Sequence, residues 1–299
     1  MMASDLFSLK GRTALVTGGS RGIGEMIAAG FIAQGAKVYI SSRKAADCDA
    51  TAERLSAGGG TCISLPQDIS TVAGCQALAK RIGDLEPSLD ILVNNAGAAW
   101  AAPFDEFPES GWDKVMDLNL KSPFFLTQAL HAKLKAAASF EQPAKVIMIA
   151  SIDGIRLNPQ ETYSYHASKS GLIYLTRRMA ARLARDWILV TGIAPGAFAS
   201  QMNRDARDHG DEVAKRIPSR RIGGCSECEC RDDPCKKSRS NHGPQTQGAH
   251  DALLRNELSY AATLARAAAR RSRHCEARLK ILLRCGARVA ARHRRLFLT

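Results

Sequence analysis

The chain has 299 residues, 45% of them hydrophobic, and a formal net charge of +13. That length buries one large core or two modest ones, and no run of about 18 apolar residues is present to cross a membrane as a helix. The charge is uneven: residues 1–222 hold 26 Lys+Arg against 22 Asp+Glu and residues 223–299 hold 16 against 7, so the excess that suggests a nucleic-acid surface belongs to the last quarter alone.

The opening MMASDLFSLKGR lacks a basic region followed by an apolar stretch. No secretory leader is expected, and the expected location is cytoplasmic. Thr13 to Thr17 reads as a short buried strand, followed by a glycine-rich turn from Gly18 to Gly24 and a helix to about Gln34. Lys37 to Ser41 is a second strand, Asp47 to Leu55 a helix, and Thr61 to Leu65 a third strand. A helix follows from Thr71 to Ile82, then a fourth strand from Leu89 to Val93. The spacing predicts a long helix from Glu109 to about Ala138, with Pro123 interrupting or kinking it. Val146 to Ala150 is a fifth strand, Tyr163 to Arg185 a helix, and Ile188 to Ala194 a sixth strand. Strands alternating with helices predict an α/β fold, a doubly wound, Rossmann-like parallel sheet covered on both faces. Ligands of such sheets sit at the carboxyl ends of the strands.

The loops at those ends carry the candidate chemistry. Thr17-Gly-Gly-Ser-Arg-Gly-Ile-Gly24 stands between a strand and a helix, where glycines let the backbone approach a pyrophosphate and the helix N-terminus favours its charge. The second strand ends in Ser41-Ser-Arg-Lys44 without the acidic residue that usually holds the ribose hydroxyls of NAD. Arg43 is instead suited to a 2′-phosphate, with Arg21 as a second cation, so NADP is the expected cofactor. Asn94-Asn95-Ala96-Gly97 suits a backbone packed against a cofactor, or is an Asn-rich turn. Asn119, inside the apolar run Asp117-Leu-Asn-Leu120, needs partners if buried; it is either structural or part of a polar site. Ser151 falls at the carboxyl end of the fifth strand.

The stretch YSYHASK, residues 163–169, holds two tyrosines and one lysine. Residues four apart share a helix face, so Tyr165 rather than Tyr163 lies beside Lys169. A neighbouring cation favours a phenolate; the pair is a tuned acid or an ordinary exposed helix face.

In this order and at this spacing, TGGSRGIG, NNAG, the Asn of DLNL, the Ser of ASIDG, YHASK and IAPG resemble the short-chain dehydrogenase/reductase family over about residues 7–223. Within it the chain looks like the NADPH-dependent β-ketoacyl reductases, including those of rhamnolipid-type pathways. The resemblance implies catalytic roles for Asn119, Ser151, Tyr165 and Lys169. Tyr165 would protonate a substrate carbonyl, Lys169 would lower the tyrosine pKa and hold the nicotinamide ribose, Ser151 would orient the carbonyl oxygen, and Asn119 would fix a proton-carrying water. Tyr163 becomes a pocket or packing residue. Cofactor contacts are implied for Gly18, Ser20, Arg21, Gly22, Ile23, Gly24, Arg43, Asp68, Asn95, Ala96, Gly97, Pro195 and Gly196, besides Tyr165 and Lys169. Asp68 would meet the adenine, Pro195 and Gly196 would flank the nicotinamide, and residues 197–222 would form a mobile loop over the substrate. An acyl-CoA or acyl-carrier-protein thioester is the implied substrate, and a dimer or tetramer through the long helices the implied assembly.

The resemblance stops near Gly223. Residues 1–223 are the predicted Rossmann-like domain, and residues 224–299 an atypical basic tail in place of the family's last helix and strand. From Gly223 onward the chain holds 13 Arg, 12 Ala and 6 Cys, a mixture that a GC-rich gene yields in the wrong frame. A frameshift near codon 223 is the leading origin, and an appended module the alternative. Cys225, Cys228, Cys230 and Cys235, with His242, lack the two separated pairs of a zinc ribbon or finger, so no metal site is predicted. An impaired dinucleotide-binding protein is the competing functional expectation.

Overall fold

In the computed structural model, the structure describes residues 7–199, 202–215, 217 and 220–223. The predicted tail and its cysteines lie outside the described residues. Six strands form one sheet: β1 (Thr13–Thr17), β2 (Lys37–Ser41), β3 (Thr61–Ser64), β4 (Ile91–Asn94), β5 (Ala144–Ile149) and β6 (Ile188–Ile193). Their order is β3-β2-β1-β4-β5-β6, and every pairing is parallel. The order reverses between β1 and β4, which opens a crevice at their carboxyl ends.

Helices α1 (Gly22–Ala33), α2 (Ala45–Ser56) and α3 (Val72–Leu85) follow the first three strands. Two apolar clusters fill the layers on either side of the sheet. Val16, Val38, Ile40 and Val93 pack with Ala28 and Ala52 of α1 and α2 on one side. Leu15, Leu92, Val146 and Met148 pack on the other with Leu78 of α3, Leu126 and Leu172. Because successive side chains alternate faces, near-continuous apolar strands serve both layers, as expected of a parallel sheet.

The long helix differs from its predicted form. It runs as α4 (Glu109–Met116), a π-helical segment at Asp117–Lys121, α5 (Ser122–Ala129) and α6 (His131–Ala137). Pro123 has no N–H to give to the carbonyl four residues earlier. The chain does not break there; the preceding turn widens, and Ser122 N–H bonds Asp117 O five residues back. Asn119 stands inside this widened turn, 1% exposed. Helix α7 (Tyr163–Leu183) packs against it and against β6.

Coverage of the sheet is incomplete among the described residues. Ile188 and Val190 of β6 are buried with the cluster on the α7 side. Leu189, Thr191 and Ile193 point the other way, and Ile193 is 50% exposed. On that side the described residues leave β6 partly uncovered, whereas the sequence pattern predicts both faces covered. After β6 the chain forms α8 (Arg204–Asp208) and α9 (Gly210–Lys215), and Gly223 returns to bond Ala197 O and Ala199 N. No helix among the described residues is long and apolar enough to cross a membrane.

Candidate active site

The glycine turn after β1 is held open by its neighbours. Gly18 and Gly22 take φ of 64° and 57°, a region that side-chain-bearing residues enter at a cost. The N–H groups of Gly18 and Gly19 donate to Ser41 O at 2.7 and 3.3 Å. A Cβ on Gly24 would overlap Gly18 O and Asn95 Nδ2, so α1 can start against this turn only with glycine there. Asn95 Nδ2 donates to Thr17 O at 2.9 Å and to Gly18 O at 3.2 Å. Thr17 Oγ1 donates to Val93 O and accepts from the N–H groups of Asn95 and Ala96 at 3.0 and 3.1 Å. This buried hydroxyl pins the β4 loop to the glycine loop. Ser20 O accepts from Thr51 Oγ1 of α2, and Ile23 sits half-buried in the first turn of α1.

These groups fit a dinucleotide phosphate. The first N–H groups of α1 have no intrahelical partners and follow a turn in which Gly18, Gly19 and Gly22 carry no Cβ, which suits an anion site at a helix N-terminus. Ser41 Oγ, at the end of β2, is buried without a protein hydrogen-bond partner, as is Ser64 Oγ on the neighbouring strand. Arg43 is exposed two residues beyond Ser41, and Arg21 is exposed immediately before α1. Asp68 is exposed in the loop after β3, its carboxylate accepting from Ser70 N–H at 2.9 Å. Pro195 and Gly196 follow β6, and Pro195 O accepts from Ile152 N–H at 3.0 Å.

The predicted catalytic residues meet at the ends of β4 and β5. Ser151 Oγ accepts from Asp153 N–H at 3.1 Å and is hydrogen-bonded to the Tyr165 hydroxyl. Lys169 is 4% exposed; its Nζ donates to Ile149 O at 2.8 Å and lies 5.6 Å from the Tyr165 ring centroid. Burial pushes the Lys169 ammonium down to about 8. Burial also raises the Tyr165 phenol, an effect that the Ser151 hydrogen bond partly offsets. The ammonium is committed to a carbonyl and is itself weakened by desolvation. Tyr165 is therefore a neutral phenol at pH 7, holding a proton.

Asn119 is anchored rather than aimed at Lys169. Its Oδ1 accepts from Ala98 N–H at 2.8 Å, and its Nδ2 donates to Ala98 O at 2.9 Å and Ser168 Oγ at 3.1 Å. Gly97 stands between the two: a Cβ there would lie 3.3 Å from Asn119 Oδ1 and 3.7 Å from Lys169 Nζ. Ala96 is half-buried beside it. Tyr163 points elsewhere, packing edge-on against Phe104 and Phe107 with ring centroids at 5.6 Å and donating to Glu161. The segment 197–222 contributes α8 and α9 beyond the end of β6.

Sequence reasoning missed Thr17, Ser41 and Ser168. The hydroxyls of Thr17 and Ser168 and the carbonyl of Ser41 carry the polar wiring, but a Thr or Ser ending an apolar strand and a Ser inside a helix give no pattern that marks them.

Comparison with known proteins follows the same residues. A family profile for short chain dehydrogenases matches residues 12–211. The rhamnolipids biosynthesis 3-oxoacyl-[acyl-carrier-protein] reductase of Pseudomonas aeruginosa is 50% identical over 198 residues, which is 66% of this chain and 77% of that protein. The 5-keto-D-gluconate 5-reductase of Escherichia coli is 34% identical over 226 residues, 74% of this chain and 86% of that one. Among solved structures, the active-site complex of Pseudomonas aeruginosa RhlG with NADP superposes with a TM-score of 0.71 at 46% identity, covering 74% of this chain and 88% of the other.

Proposed function

Because the chain belongs to the short-chain dehydrogenase family, and so to the oxidoreductases, we propose that its domain up to Gly223 uses NADPH to reduce a carbonyl to an alcohol, with a 3-oxoacyl thioester as substrate. The observation that carries the reaction is the meeting of Ser151, Tyr165 and Lys169 beside the glycine cradle. NADPH, its phosphates held by that cradle, would supply the hydride, which is the cofactor's own chemistry. Residues of the chain do the rest. Tyr165 delivers its proton to the carbonyl oxygen, the direction of transfer that a raised phenol pKa suits. Ser151, oriented by Asp153 N–H, places that oxygen. Lys169, the ammonium nearest the tyrosine ring among the described residues, recharges the site with a proton; a pKa near 8 lets it give and regain one close to neutral pH. Arg43 and Arg21 meet the 2′-phosphate, which gives the preference for NADPH over NADH.

The substrate class rests on the 50% identity to a 3-oxoacyl-[acyl-carrier-protein] reductase. Its test is NADPH consumption with a 3-oxoacyl thioester beside 5-ketogluconate. The thioester is expected to show a kcat/KM higher by at least about tenfold, the scale on which substrate contacts discriminate. A preference for the sugar acid overturns the substrate class.

A second copy of the chain fits the apolar groove where Met116, Leu120 and Phe125 meet Leu175 of α7, with Phe124 and Tyr174 exposed along it. Light scattering on the same preparation tests this: a mass twice that of one chain or more supports it, and a single-chain mass overturns it.

One observation favours a second reading. With Ile193 exposed among the described residues, a chain whose end differs from the family can hold a complete catalytic set and bind the dinucleotide yet turn over no carbonyl. Restored turnover on replacing residues 224–299 with a family-like ending supports this reading; turnover by the intact chain excludes it.

A further inference from the structure

Ser168 lies one residue before Lys169 and is fully buried. Its hydroxyl proton is committed: Oγ donates to Tyr165 O, three residues back on α7, at 2.8 Å. The oxygen then has only lone pairs to offer across the helix interface, and there it accepts from Asn119 Nδ2 at 3.1 Å. An asparagine amide has two ends of nearly equal shape but opposite hydrogen-bonding character. Ala98 presents both an N–H and a carbonyl to Asn119, and Ser168 presents an acceptor. Only one orientation of the amide satisfies all three.

We infer that Ser168 is a positioning residue, which fixes the orientation of the Asn119 amide and joins the three elements that carry the site. Those elements are α7 with Tyr165 and Lys169, the π-helical turn with Asn119, and the β4 loop with Gly97 and Ala98. Without the Ser168 oxygen, one Asn119 N–H is buried with no partner, a state that costs more than the bond itself is worth. The amide then turns or the widened helix turn shifts, and the Gly97–Ala98 backbone beside Lys169 moves with it. This assignment rests on the reductase reading given above.

The test is a double-mutant cycle on kcat with Ser168→Ala and Asn119→Ala. Alanine is the better helix former, so Ser168→Ala folds. Ser168→Ala is expected to lower kcat by about tenfold with KM for the carbonyl changed less than about twofold, the signature of an effect on the reaction step. If Ser168 acts through Asn119, the double variant falls no further than Asn119→Ala alone; independent roles multiply. A multiplicative loss, or an unchanged kcat in Ser168→Ala, overturns the assignment. A second readout needs no turnover and so separates failure of this inference from failure of the reductase reading. With 15N-labelled asparagine, the Asn119 side-chain protons exchange slowly in the parent, and the one facing Ser168 loses its protection in Ser168→Ala. Equal protection in parent and variant overturns the inference even in a chain that reduces nothing.

Discussion

Tyr165→Phe is expected to lower kcat for carbonyl reduction by about 10²–10⁴-fold, the range that a positioned proton donor supplies. The change removes one oxygen and leaves the ring, so packing on α7 is preserved. Ser151 keeps the Asp153 N–H that orients it, and Lys169 keeps its bond to Ile149 O. The phosphate cradle is built from Thr17, Ser41 and Asn95 on other elements, so NADPH affinity should change by less than about threefold, within the scatter of one lost peripheral contact. The measurement is kcat for the 3-oxoacyl thioester together with an NADPH titration followed by nucleotide fluorescence. A variant that keeps more than a tenth of parental kcat contradicts the assignment of Tyr165 as proton donor. Loss of NADPH binding in parallel would instead mean that the tyrosine holds the site together.

The second large effect comes from the glycine cradle, where two glycines of one helix should respond in opposite directions. In Gly24→Ala the new methyl meets Gly18 O and Asn95 Nδ2. Neither yields cheaply, because Asn95 holds both Thr17 O and Gly18 O. Overpacking of this kind costs about 1–3 kcal/mol, which for a domain of this size lowers Tm by about 2–12 °C. NADPH should then no longer raise Tm, since α1 is pushed off the turn that forms the cradle. In Gly30→Ala, two turns later in α1, nothing lies within 4 Å of the new methyl. Alanine there gains about 1 kcal/mol of helix propensity and should raise Tm while leaving the response to NADPH intact. A Gly24→Ala variant as stable and as responsive to NADPH as the parent would remove the cradle from this account.

Particular residues explain how far the sequence could be read. The strands were legible because a parallel sheet buried on both faces leaves an apolar run such as Ala14-Leu-Val16, and the glycines that follow mark where it ends. Asn119 was recognisable as a buried polar residue in need of partners, but not its partners, since the backbone of Ala98 has no side-chain signature. Pro123 signalled a disturbance in the long helix correctly, but not the form it took, a widened turn closed by Ser122 N–H on Asp117 O that continues as helix. The pairing of Tyr165 with Lys169 followed from spacing alone. The rise of the tyrosine pKa did not, because it comes from burial, and burial is a property of the whole fold. The partly uncovered side of β6 among the described residues was equally illegible, since alternation of strands and helices predicts cover without saying which helix supplies it.

The central claim is that residues 7–223 build an NADP site in which Arg43 and Arg21 read the extra phosphate. Thermal unfolding of the intact 299-residue chain, titrated with NADPH and in parallel with NADH, tests it most directly. One cooperative transition is expected, its midpoint rising with NADPH and rising much less with NADH at the same concentration. A transition that responds to neither nucleotide, or equally to both, would contradict it.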